Sequence, residues 1–125
     1  MTYRAQFTNN AKEDFIELKA YVVQAWSKQV WKTAFEQIKH AVSIIESQPH
    51  AGAVCQDLAQ LGITTYRQML TNKNRIIYEI DSTNKLIFIH IVCDQKRDLQ
   101  TLLIHRLLHM SALNAPALAA PPATM

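Results

Sequence analysis

The sequence predicts an α+β fold: an N-terminal strand, an antiparallel helical hairpin, and a three-stranded antiparallel meander closed by a C-terminal helix. Three observations predict it. Two stretches between Asn9 and Ser47 repeat apolar residues every three or four positions. Three short runs between Thr64 and Cys93, rich in β-branched and aromatic residues, are separated by polar turns. A leucine-rich stretch of helical spacing follows Arg97.

Tyr3 to Thr8 alternates and reads as the first strand. Asn9-Asn10 offers caps for the next helix, because an Asn side chain accepts an amide hydrogen of the first turn. Glu13 and Asp14 suit the positive end of that helix. Phe15, Leu18, Val22 and Ala25 then fall on one face. Ser27 caps a second helix, in which Trp31, Phe35, Ile38, Val42 and Ile45 alternate spacings of four and three. So tight a connection forces an antiparallel hairpin. Pro49 to Gly52 ends the second helix, since proline cannot continue it and glycine takes tight-turn geometry. Cys55 to Leu61 reads as one short helical turn. The three sheet runs are Thr64 to Leu70, Arg75 to Ile80 and Leu86 to Cys93, and the last helix runs from Arg97 to about Met110. The domain is therefore expected over residues 1–110. Residues 111–125, SALNAPALAAPPATM, are dominated by alanine and proline and read as a disordered tail.

At 125 residues, 49% apolar and 18% charged, the chain supports one core and is too apolar to be disordered. No apolar run nears the roughly 20 residues of a membrane span, and MTYRAQFTNNAKEDF lacks the layout of a signal peptide. A cytoplasmic protein without membrane association is expected. Cys55 and Cys93 match no metal or redox spacing and read as buried thiols. The net charge of +3 is carried by residues 63–125, while residues 1–62 balance. A basic sheet half suggests an acidic protein partner or nucleic acid. With so few charges, chance placement gives the same asymmetry.

Within that half, Arg67, Arg75 and Arg97 lie on or beside successive elements, and one surface gathering them would meet an anion. His90 is a candidate acid or base, because histidine as a residue type can change charge near neutral pH, though a hydrogen-bonded sheet histidine is the simpler reading. His105 and His109 have the spacing of a metal pair but no third ligand near in sequence, so an ordinary helix face is the simpler reading. Asp94 and Asp98 flank Lys96-Arg97, and orienting Arg97 or capping the last helix is their simplest role. Trp26, Trp31 and Phe35 read as core, whereas an exposed Trp26 would mark a protein-contact surface. No cofactor and no metal site are expected.

Four signatures, taken together, resemble the RelE/ParE superfamily, the toxins of type II toxin–antitoxin pairs. They are Ala11, Asp14, Ile16 and Tyr21 in the first helix; Pro49 with Gly52; Tyr66-Arg67 followed by Arg75-Ile76-Ile77-Tyr78-Glu79-Ile80; and Arg97-Asp98 with Arg106-Leu107-Leu108. The similarity runs from Tyr3 to Met110. It implies a cognate antitoxin, contact with operator DNA only through that antitoxin, and one of two targets. ParE-type members poison DNA gyrase; RelE-type members cleave messenger RNA on the ribosome. Arg67, Arg75 and Arg97 match cationic positions of the RelE pattern and are suited to clamp phosphate. Met69 and Leu103 stand where that pattern has a lysine and a tyrosine, and neither moves a proton. The resemblance therefore favours a ParE-like, plasmid-stabilisation type of toxin. A ribosome-dependent endoribonuclease is the alternative, and an inactive antitoxin-binding module a second. Charge reversal at Arg67 and Arg75 together is expected to abolish toxicity while the fold survives.

Overall fold

The computed structural model describes residues 2–103 and 106. Strand β1 (Arg4–Phe7) leads into helices α1 (Asn9–Ala25) and α2 (Lys28–Ser47). A 3-10 turn (Pro49–Ala51), strand β2 (Ala53–Val54) and the short helix α3 (Gln56–Ala59) follow. Strands β3 (Arg67–Leu70), β4 (Asn74–Asp81) and β5 (Leu86–Asp94) form the meander, and residues 99–103 are helical. The expected tail, His109, and His105 of the histidine pair lie outside the described residues.

The sheet has five strands in the order β1-β5-β4-β3-β2. β1 runs parallel to β5, and all other pairs are antiparallel. The α+β architecture is the expected one, with β2 added at an edge. Two residues show no alternation, so β2 is illegible in sequence. β3 begins at Arg67 rather than Thr64.

The caps separate what sequence settles from what it does not. Ser27 Oγ accepts from Val30 N at 3.1 Å, as expected. At α1 the cap is Thr8, whose Oγ1 accepts from Ala11 N at 3.2 Å, and Asn9-Asn10 are already helical. Thr8 N also donates to Ile89 O at 3.0 Å, so the end of the β1–β5 ladder fixes where the helix starts. Three adjacent residues of capping type cannot reveal that.

Gly52 is extended, with φ −80°, so the tight-turn reason given for it does not hold. It is needed because two groups crowd it. A Cβ there would run into Gln68 O and Tyr78 Oη. Tyr78 is fully buried; its hydroxyl donates to Pro49 O at 2.6 Å and accepts from Gly52 N at 3.1 Å. One phenol thus satisfies two backbone groups of a turn that would otherwise leave them buried and unpaired.

Two cores lie on opposite faces of the sheet. On the hairpin side, Ile38, Ala41 and Ile45 of α2 and Ala11 of α1 meet Ile76, Tyr78, Ile87, Ile89 and Val92. On the other side, Ile77, Ile91 and Cys93 meet Cys55, Leu58 and Leu99. Both cysteines are free and buried, and burial pushes the Cys93 thiol up to about 11. At neutral pH it is a packed thiol with no nucleophilic character.

Ile89 and Ile91 belong to different cores although they are two residues apart, which simple alternation forbids. A bulge explains it. Ile77 pairs with Ile91 and Tyr78 with Ile89, leaving His90 as the extra residue. The bulge turns His90 toward the face that carries Glu79.

Candidate functional site

The three arginines do not share one surface. Arg67 pairs with Tyr78, and Arg75 pairs with Leu70 at the far end of the same hairpin. Residues 75 and 78 of β4 differ in parity, so Arg67 lies on the hairpin side and Arg75 on the other. Arg67 is half-buried, and its Nη1 donates to Gly52 O at 2.6 Å. Its present role is to hold the loop that Tyr78 also holds.

Arg75 is buried, with 11% of its side chain exposed. Its Nη1 lies 3.1 Å from Asp57 Oδ1 and 3.2 Å from Gln68 Oε1, and its Nη2 donates to Arg97 O at 3.1 Å. The guanidinium joins α3, β3 and the segment after β5, and Nε is buried without a partner. Arg97 is exposed. Asp98 does not orient it. Asp98 instead caps the last helix, with Oδ1 accepting from Thr101 N at 3.1 Å and Oδ2 from Thr101 Oγ1 at 2.7 Å. Those two bonds hold its carboxyl below the usual range. Asp94 accepts from Lys96 N at 2.7 Å and so shapes the turn that ends β5.

His90 is placed by the bulge so that Nε2 lies 2.9 Å from Glu79 Oε1. The ring of Tyr66 meets it edge-on at 5.3 Å. Burial, then the Glu79 charge, pushes the Tyr66 hydroxyl up, so it is a neutral phenol here. The cluster of Tyr66, Glu79 and His90 therefore holds a histidine beside a carboxylate; Arg67 lies on the opposite face, and Arg75, on the same face, is taken up by Asp57, Gln68 and the Arg97 carbonyl. No group of three metal-ligating side chains occurs among the described residues. Trp26 is 65% exposed, contrary to its reading as core, while Trp31 and Phe35 are half-buried. The helical connection is too short to fold Trp26 back, and Lys73 lies over its ring at 5.6 Å.

Asp14 and Arg106 form a second polar centre. Asp14 Oδ2 accepts from Val92 N at 3.1 Å, and its Oδ1 takes a charge-assisted bond from Arg106 Nη2. Arg106 Nη1 donates to His90 O at 3.0 Å. β1 ends at Phe7, so β5 has no strand neighbour beyond Ile89 on that side. The carboxylate and guanidinium occupy the place that a longer β1 would fill. Burial raises the Asp14 carboxyl, with Arg106 and the Val92 amide opposing. Sequence spacing could not find this centre, because the two residues meet only through the sheet.

A strand, a helical hairpin and an antiparallel meander around these centres define a small toxin fold of the RelE/ParE type. Residues 5–99 match the family described as the ParE toxin of the type II toxin–antitoxin system parDE, and the chain belongs to that family. Solved structures that share the fold include two toxin–antitoxin systems. The RelBE2 toxin–antitoxin complex from Mycobacterium tuberculosis is 18% identical, with a TM-score of 0.52, covering 76% of this chain and 100% of that chain. The chromosomal ParDE system from P. aeruginosa is 14% identical, with a TM-score of 0.59, covering 74% and 95%. No curated protein sequence matches. No helix among the described residues is long and apolar enough to cross a membrane.

Proposed function

We propose that this ParE-family chain inhibits DNA gyrase by binding it and is kept inactive by a cognate antitoxin in the cytoplasm. The observation that carries this reading is the engagement of Arg75. A ribonuclease of the RelE kind needs free cations at the scissile phosphate and a group that moves the 2′-hydroxyl proton. Arg75 is buried among Asp57, Gln68 and the Arg97 carbonyl, and Arg67 faces the hairpin side. Of the three arginines only Arg97 is exposed, and Met69 and Leu103 have no group that can give or take a proton. An inhibitor that binds needs none of this chemistry. The RelBE2 and ParDE structures are both of toxin–antitoxin systems, which supports an antitoxin as partner. Operator DNA is then reached only through that antitoxin.

The test is a supercoiling assay with purified gyrase and the purified chain. Inhibition at near-stoichiometric chain is expected, with messenger RNA on ribosomes left intact in a parallel reaction. Unimpaired supercoiling with cleaved messenger RNA would replace this reading with the ribonuclease one.

A further inference from the structure

Two turns meet at one end of the molecule and hold a tryptophan in solvent. Trp26 closes α1, its amide donating to Val22 O at 2.9 Å, and Ser27 opens α2 at once. The turn between β3 and β4 brings Lys73 over the indole, 5.6 Å from its centroid. An indole left 65% exposed gains by burial against a partner.

Neither turn is loose. Thr71 N donates to Asn74 O at 2.9 Å, and Asn74 N donates back to Thr71 Oγ1 at 3.1 Å. Gln95 ties down the same turn, with its N donating to Lys73 O at 2.9 Å and its Nε2 to Thr71 O at 2.5 Å. Across from it, Ser27 Oγ holds the first turn of α2. The indole and its cation are therefore set in place before a partner arrives, which lowers the ordering cost of binding.

Around the ring the surface is apolar or positive. Val30 in the first turn of α2 is 42% exposed, and Leu70 at the end of β3 is 52% exposed. Leu70 and Asn72 line one recess with Gln29 and Lys32 of α2, so the two turns share a surface. Residues 18–35 and 58–78 contain no Asp or Glu, and Lys28, Lys32 and Lys73 are exposed. Glu36, one turn beyond Lys32, lies 3.7 Å from Lys39 Nζ, and Asp94, opposite Asn74, accepts from Lys96 N at 2.7 Å. The unanswered charge at this end is positive.

We propose that this end is the surface through which the chain contacts gyrase. The Trp26 indole enters an apolar recess on the enzyme, and Lys28, Lys32 and Lys73 meet carboxylates around that recess. The observations favour a protein surface over nucleic acid. Lys73 already covers one face of the indole, and the exposed neighbours Val30 and Leu70 are aliphatic, with no ring to stack on a base. The proposal rests on the gyrase reading and gives it a contact surface.

The test measures binding of the full chain to immobilised purified gyrase, with neither antitoxin nor DNA present, for the parent, Trp26→Ala, Lys73→Glu and Ile16→Ala. Trp26→Ala and Lys73→Glu are each expected to bind roughly tenfold or more weakly and to lose inhibition of supercoiling in proportion. Their urea midpoints stay at the parent value, because both side chains are exposed. Ile16→Ala, at a position 68% exposed and ten residues back on α1, binds like the parent. Parent-like binding by Trp26→Ala or by Lys73→Glu, or an equal loss in Ile16→Ala, would overturn the proposal and leave the gyrase reading standing. A DNA duplex bound by the parent and released by both variants, with their gyrase binding kept, would overturn it too and give this end to nucleic acid. A parent chain that does not bind gyrase would defeat the gyrase reading and this contact with it.

Discussion

Arg75→Glu is expected to unfold the protein. The substitution puts a carboxylate where a buried guanidinium meets Asp57 and Gln68, and it strips the Arg97 carbonyl of its donor. Breaking a buried pair from one side costs about 3–5 kcal/mol, against a total stability of about 5–15 kcal/mol for a typical domain. Like charge against Asp57 adds to that cost. Urea unfolding followed by circular dichroism checks it, with no native baseline as the expected result. Retention of a cooperative transition near the parent midpoint would mean that Arg75 is not the tie described here. Joint reversal of Arg67 and Arg75 therefore cannot be expected to spare the fold, as sequence alone suggests. Arg97→Glu is the clean probe of a cationic surface, because an exposed substitution changes stability by about 0.5 kcal/mol or less.

Arg106→Ala is expected to have the second large effect, a loss of about 3–5 kcal/mol, because it leaves a buried carboxylate without its cation. His90 O loses its donor as well. The pH dependence has a definite sign. Burial already holds the Asp14 carboxyl above its unfolded value of 3.8, and Arg106 is the largest force opposing that rise. In the variant the folded pKa climbs further, so folding takes up a proton. A group with a raised folded pKa contributes stability that is complete below 3.8 and is lost as pH rises through the folded value. The deficit of the variant should therefore shrink as the solution is acidified from neutral toward that window. Urea midpoints at several pH values measure it. A deficit that is constant or grows on acidification would show that Asp14 is not the group left unpaired.

Much of this fold is legible in sequence because local chemistry decides it. The spacing of Trp31, Phe35, Ile38, Val42 and Ile45 specifies the main helix, and Ser27 starts it. Polar turns separate the β-branched runs that become β3, β4 and β5. What escapes is decided by tertiary contact. β2 exists only because Tyr78 and Arg67 hold the chain beside β3 for two residues. The bulge at His90 lies in a run, Leu86 to Cys93, that carries no glycine or other sign of irregularity. Glu46 and Asp14 look like ordinary helix-surface acids until the sheet edges they close are seen. The scattering of the arginines was within reach. A turn over Thr71–Asn74 pairs residue 70 with 75 and residue 67 with 78, and parity then separates Arg67 from Arg75.

The claim that this toxin acts by binding gyrase rather than by cutting RNA is tested most directly by a short induced pulse without antitoxin. Labelled thymidine and labelled methionine uptake are followed in the same culture. Gyrase inhibition is expected to give early loss of thymidine uptake with an SOS response while methionine uptake continues. Immediate loss of methionine uptake with DNA synthesis still running would contradict it.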